Sequence, residues 1–181
     1  FSLQAFLINA QIDPTTPWVW VKGDHETNNT GLYGTKGIAA TGNKPGSRTS
    51  AITWLDKEGN LWLFGGMGYA NSGQGYLNDL WKFNTSSNQW TWVNGDSSIQ
   101  QYSVYGTQGT ASATNKPGGI YAGVSWTDAN GNLWLFGGFG FTETEFGFLN
   151  TLWKYNINTN QWTWVKGDKI IDKTGTYGTK G

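Results

Sequence analysis

The 181-residue sequence predicts an all-β fold of four-stranded antiparallel units repeated in tandem. Three observations carry that prediction. Long strings recur 72 positions apart, with GNLWLFGG at 59–66 and again at 131–138, and WTWVNGD at 90–96 against WTWVKGD at 162–168. Each repeat holds four short runs of apolar, β-branched or aromatic residues bounded by turn formers. Composition agrees, since 12 Trp and 27 Gly with only 13% charged residues favour tight turns and aromatic packing over helix or disorder.

The period is anchored at many further points. WVWVKGD stands at 18–24, YGT at 33, 105 and 177, NKPG at 43 and 115, and LNDLWKFN at 77–84 against LNTLWKYN at 149–156. Residues 37–108 and 109–180 align without a gap. A fixed period of this kind means stacked supersecondary units, each covering the apolar face of the next.

Within one period the first strand is SAITWLD (50–56). DKEGN, or DANGN in the second copy, turns the chain through a glycine-containing hairpin loop into LWLFGG (61–66). LWLF is apolar at every position, the mark of a strand covered on both faces. The third strand is NDLWKFN (78–84), followed by the turn NTSSN or NINTN. The fourth is QWTWVNG (89–95), which puts Trp90 and Trp92 on one face and Thr91 and Val93 on the other, as a strand nearer an edge does. In GNLWLFGG, Gly59 and Asn60 turn, Leu61 to Phe64 pack, and Gly65 and Gly66 let backbones approach closely. The string reads as framework.

Four-stranded antiparallel units with apolar faces in tandem are β-propeller blades. The expected organisation is a signal-peptide tail at 1–10 and a partial propeller over 11–181. Within the latter lie a lone outer strand at 18–24, blades at 46–96 and 118–168, and the start of a next repeat at 169–181. Two blades leave the ring incomplete, since propellers use about 4–8. A lone fourth strand at the N-terminal end is expected to complete the last blade of a longer chain, and further blades would come from that chain or from other copies.

The residues resemble the kelch repeat family, in which a strand ending in Gly-Gly leads to an aromatic strand, a turn and a Trp. Here these are Gly65-Gly66, Trp81 and Phe83, NTSSNQ and Trp90, and then Gly137-Gly138, Trp153 and Tyr155, NINTNQ and Trp162. The resemblance covers 46–96 and 118–168, plus the lone strand at 18–24. It departs from the family in its longer period and in Ile120, which stands where Arg48 supplies the basic residue common at the start of the first strand. D-x-x-G-N-L-W at 56–62 and 128–134 also looks like the Asp-box of sialidase propellers, with one residue more between Asp and Gly.

Charge and composition narrow the function. Twelve basic and twelve acidic residues balance, and Arg48 is the sole arginine, so no basic field recruits nucleic acid or anionic lipid. No apolar run approaches the ~18 residues of a membrane helix. Cysteine is absent, which removes disulfides and thiolate sites. FSLQAFLINA followed by polar QIDPTTP reads as the end of a secretory signal peptide cut after Ala10, so a secreted or cell-surface bacterial protein is expected.

Alternating turns put the long connections 67–77, 96–118 and 139–149 on one propeller face, and loops on a rigid scaffold carry function. Positions that differ between the copies are the candidates. MGYANSGQGY offers Tyr69, Asn71, Gln74 and Tyr76, aromatic platforms with amide hydrogen bonding suited to sugar or peptide. FGFTETEFGF offers Phe141, Glu143, Glu145, Phe146 and Phe148, an acidic aromatic counterpart. No cofactor and no metal site is expected: Asp24, Asp96 and Asp168 recur without the clustered acids of a calcium loop, and His25 stands alone. The kelch resemblance also brings galactose oxidase into view, but its copper site needs two His, two Tyr and a Cys, and a sialidase needs three Arg. The expectation is a non-catalytic binding or adhesion module for protein or carbohydrate. A propeller scaffolding a larger secreted enzyme, and a purely structural surface protein, are the alternatives.

Overall fold

The computed structural model describes residues 19–179. Among them there is no helix, and the strands form four antiparallel sheets of three or four strands. This is an all-β arrangement consistent with a β-propeller-like fold, and no closed ring forms among the described residues. The proposed signal-peptide tail at 1–10 lies outside them, as do Trp18 and the last two residues.

Each repeat makes one large sheet. β2 (Ile52–Leu55), β3 (Leu61–Phe64), β6 (Leu80–Asn84) and β7 (Gln89–Asn94) pair in that spatial order. The second repeat repeats it with β9 (Val124–Thr127), β10 (Leu133–Phe136), β13 (Leu152–Asn156) and β14 (Gln161–Lys166). The tight turns are built by side chains. Asp56 accepts hydrogen bonds from the backbone N–H of Glu58 and Asn60, from Asn60 Nδ2 and from Trp62 Nε1, so DKEGN is an Asp-organised loop. Asn84 Oδ1 accepts from Ser86 and Ser87 N–H, and Asn88 closes that turn at φ 57°.

The two sheets stack face to face. Ile52, Trp54, Trp62 and Phe64 of the first bury against Leu133, Leu135, Tyr155 and Trp162 of the second. Trp62 meets Tyr155 at 5.9 Å and Phe64 meets Trp162 at 5.4 Å between ring centroids. The innermost strands are stitched by Ser125 Oγ donating to Thr53 O and Thr127 Oγ1 to Leu55 O. Gly66 N–H reaches Ile120 O, and a Cβ at Gly65 would sit 2.5 Å from that same oxygen, which is why Gly-Gly stands there.

Burial of LWLF differs from the expectation of two covered faces. In the first copy Trp62 and Phe64 are buried while Leu61 is 47% exposed; in the second, Leu133 is fully buried while Phe136 is 45% exposed. Within one string, opposite alternate residues are covered because each blade here has a neighbour on one side only. Trp90 is accordingly half-buried, whereas its counterpart Trp162 is wholly buried.

The length of the period is explained by the connection before each blade. Residues 31–47 fold back along β7, through the bridge Ala40↔Trp90 and Gly37 N–H to Trp92 O. Residues 103–119 do the same to β14, through Ser112↔Trp162 and Gly109 N–H to Trp164 O. YGT and NKPG serve this clip: Tyr33 packs on Trp81 and Tyr105 on Trp153, while Asn43 and Asn115 donate to Trp90 O and Trp162 O.

The lone outer strand expected at 18–24 is not in a ladder. Val19–Asp24 is irregular among the described residues, because a fourth strand needs a third to pair with and none lies beside it. The segment 169–179 is likewise without strand.

Candidate functional site

The connections 67–77 and 139–149 are not loops. β4 (Met67–Ala70) and β5 (Gly73–Tyr76) form a hairpin, and β1 (Arg48–Thr49) adds to it as a third strand. β11 (Phe139–Phe141) and β12 (Phe146–Phe148) do the same with β8 (Ile120–Tyr121). The paired glycines allow it. Gly75 faces Ile99, and Gly68 and Gly140 face the short strands Arg48–Thr49 and Ile120–Tyr121, at distances no Cβ would tolerate.

One face of each hairpin therefore carries only small residues, Gly68, Gly75, Gly73 and the buried Ala70 in the first and Gly140 and Gly147 in the second, and the other carries the large side chains. On the second hairpin Phe139, Phe141, Phe146 and Phe148 share that face. They form a cluster with Tyr76 of the first hairpin: Tyr76 lies 4.5 Å from Phe146 and 6.1 Å from Phe141, and Phe141 lies 4.4 Å from Phe146. Tyr121 stacks on Tyr76 at 5.5 Å and Tyr102 meets Phe141 edge-on at 5.2 Å. Most of these rings are half-buried, while Phe148 is 68% and Tyr102 50% exposed. The result is an aromatic patch spanning both repeats.

Of the nine residues singled out in the sequence, Tyr76, Phe141, Phe146 and Phe148 come together in this patch. Tyr69 and Gln74 pair across the first hairpin, with Tyr69 Oη 3.4 Å from Gln74 Oε1. Asn71, Glu143 and Glu145 are exposed at the hairpin tips, where Glu143 faces Lys169 at 3.6 Å. Tyr102, Tyr121 and Phe139 were not singled out. Tyr121 and Tyr102 sit outside the hairpins in sequence; the strand addition at Ile120–Tyr121 brings the first near, and hydrogen bonds from Ser103 to Phe141 O and Thr142 O bring the second. For Phe139 the alternation FGF was the available signal.

A buried polar centre supports the first hairpin. Arg48 donates to both oxygens of Asp79, at 2.6 and 2.8 Å, and to Gly46 O and Gly65 O. Tyr33 Oη and Trp81 Nε1 donate to Asp79 Oδ2, each at 2.7 Å. Burial, reinforced by the Asp79 charge, pushes the Tyr33 hydroxyl far above its ordinary range and keeps it a donor. The second repeat replaces Arg48 by Ile120 and Asp79 by Thr151, and there Tyr105 Oη and Thr151 Oγ1 are buried without partners. Burial pushes the Tyr105 hydroxyl up to about 12.

At the opposite, tight-turn end, a recess of about 800 Å³ opens between the blades, lined among others by Asp56, Asn60, Lys82, Asn84 and Asn160. Of its two acids, Asp56 and the exposed Glu58, the buried one is already engaged. Partial burial alone would raise Asp56, but hydrogen bonds from Trp62, Asn60 and Glu58 hold it below the usual carboxylate range. The aromatic patch is the better candidate, because its groups are not consumed by the frame. No group of three or more His, Cys, Asp or Glu side chains is placed to hold a metal among the described residues. His25 stacks on Trp20 at 3.8 Å, and Asp96 is bound to Lys116 and Asn78.

No family profile and no curated protein matches the chain. Among solved structures, the chain is similar to the structure of YjhT, at 17% identity and a TM-score of 0.49, over 71% of this chain and 40% of that one. The chain thus spans less than half the length of that structure.

Proposed function

We propose that this chain is a kelch-like propeller segment acting as a non-catalytic, exported binding or adhesion module, which recognises protein or carbohydrate through the hairpin face. The observation that carries the reading is the half-exposed aromatic patch built from Tyr76, Tyr102, Tyr121 and four phenylalanines of two repeats. Aromatic rings presented on rigid hairpins lose little conformational entropy on contact and dominate interfaces. The acidic tip at Glu143 and Glu145 frames one side with negative charge. Resemblance to kelch repeats supports the architecture, through the Gly-Gly, Trp and turn strings.

The test is a screen of immobilised glycans and of proteins, followed by the variants Phe148→Ser and Tyr102→Ser. Both side chains are exposed, so folding should be unaffected, and affinity for whatever ligand the screen yields should fall by more than roughly tenfold. Tyr177→Ser, at a residue that makes no part of the patch, is the control. Unchanged affinity in both patch variants refutes the assignment of the face.

A further inference from the structure

The sequence holds two Asn-Gly pairs, Asn94-Gly95 at the end of β7 and Asn130-Gly131 in the turn between β9 and β10. Such pairs are chemically reactive, because no side chain on glycine shields its nitrogen from the preceding carboxamide. The fold treats the two differently. At the second pair the turn engages the nitrogen elsewhere, with Gly131 N–H donating to Asp128 O at 2.9 Å. At the first pair the reacting groups meet. Gly95 N–H donates to Asn94 Oδ1 at 2.7 Å, so the carboxamide is folded over the nitrogen that would attack it. A C=O bond is about 1.2 Å long, which puts Asn94 Cγ within ~4 Å of that nitrogen, close to the roughly 3–3.5 Å of a near-attack arrangement. Asn94 Nδ2, the leaving group, is drawn the other way, onto Asn160 Oδ1 at 3.0 Å and Asn160 O at 3.4 Å on the second blade. Lys36 Nζ donates to Gly95 O at 2.6 Å, and a cation beside the site favours the anionic nitrogen that reacts.

Gly95 belongs to the frame. It stands at φ 78°, a Cβ there would collide with Asn78 O, and Gly23 and Gly167 hold the same place in the other copies. Position 94 is free to vary, since the other copies carry Lys22 and Lys166. What the position does is donate across the gap to the next unit. Lys22 Nζ reaches Asn88 O at 3.3 Å, as Asn94 Nδ2 reaches Asn160 O. An asparagine here performs that task with a carboxamide set against an obligatory glycine.

We propose that Asn94 is a site of spontaneous deamidation, and that its product unfastens this stitch between the two blades. Gly95 N–H gives its proton to solvent and the nitrogen bonds to Asn94 Cγ. The Cγ–Nδ2 bond breaks, and Nδ2 leaves as ammonia with a proton taken back from solvent. Water then opens the resulting five-membered succinimide at either carbonyl, leaving aspartate or isoaspartate. Either product sets a carboxylate against the two Asn160 oxygens that the amide had bridged. Acceptor then faces acceptor, and the hydrogen bond across the gap is lost.

The test incubates the full chain at neutral pH and physiological temperature, once folded and once in guanidinium chloride. Fragmentation mass spectrometry locates each amide-to-acid conversion. In the folded chain Asn94 should convert about tenfold faster than Asn130, because only the first carboxamide is held against its glycine nitrogen. In guanidinium chloride the two pairs should convert alike. An Asn94 that converts no faster than Asn130 in the folded chain overturns the proposal, and so does a preference that persists in denaturant. The effect on the blades is read from urea unfolding of two variants. Asn94→Asp, which carries the charge of the product, should lower the midpoint, whereas Asn94→Lys, the residue of the other copies, should leave it in place. Equal midpoints for the two variants overturn the unfastening.

Discussion

The buried Arg48–Asp79 pair lends itself to a test that the protein has already half performed. Its side chains are 6% and 0% exposed, and Asp79 is the acceptor for Arg48, Tyr33 and Trp81 together. Asp79→Thr leaves a guanidinium buried without its counter-charge, and removing one partner of such a pair costs about 3–5 kcal/mol. Arg48→Ile leaves the carboxylate with Tyr33 and Trp81 as its remaining donors, so its cost should fall at the lower end, about 3 kcal/mol. The double variant recreates the combination Ile120 and Thr151 of the second repeat. No unpaired charge remains in it. What is lost is the acceptor of the Tyr33 hydroxyl and of Trp81 Nε1, at about 1–3 kcal/mol for each, a loss that Asp79→Thr alone shares; the Tyr105 hydroxyl already stands in that condition. The double variant should therefore be more stable than Asp79→Thr alone. Urea unfolding followed by tryptophan fluorescence measures all four proteins, with linear extrapolation giving each stability. If the double variant loses as much as the two single variants combined, the charges do not act as a pair and the reasoning fails.

Two further outcomes follow from the same geometry. Leu133→Ala should cost about 2–5 kcal/mol because it opens a cavity between the blades, while Leu61→Ala, half exposed in an identical string, should cost under about 1 kcal/mol; equal losses in urea would contradict the one-sided stacking. Acid should weaken the hairpin turns: hydrogen bonds from Trp134, Asn132 and Asn130 outweigh desolvation and hold Asp128 at about 2. A depressed folded value stabilises above the unfolded value of about 3.9 and fades as pH falls toward 2, so Asp128→Asn should flatten the stability profile in that window and nowhere above it.

Much of this frame was legible because it is written twice. Strings repeated in register gave the blade strands, since Leu61–Phe64 and Gln89–Asn94 differ from the expected runs only at their ends. The hairpins were hidden by their glycines. MGYANSGQGY has the composition of a loop, and Gly68 and Gly75 become strand residues only because neighbouring chain presses on them. Asp79 could not be read at all, as it stands singly against Thr151 and its partners Tyr33 and Arg48 are distant in sequence. The aromatic patch was half visible for the same reason: FGF announced itself, whereas Tyr102 and Tyr121 join it through contacts that no local pattern encodes.

The backward fold of residues 31–47 and 103–119 bears on how copies of such a protein behave when crowded. Outermost strands normally present open amides and carbonyls, a template on which other strands zip together side by side. Here the bridges at Trp90 and Trp162 engage part of that template with the chain's own backbone. Lateral growth into fibrils is thereby blunted at the perimeter, and uncontrolled association, where it occurs, is steered onto the broad flat sides.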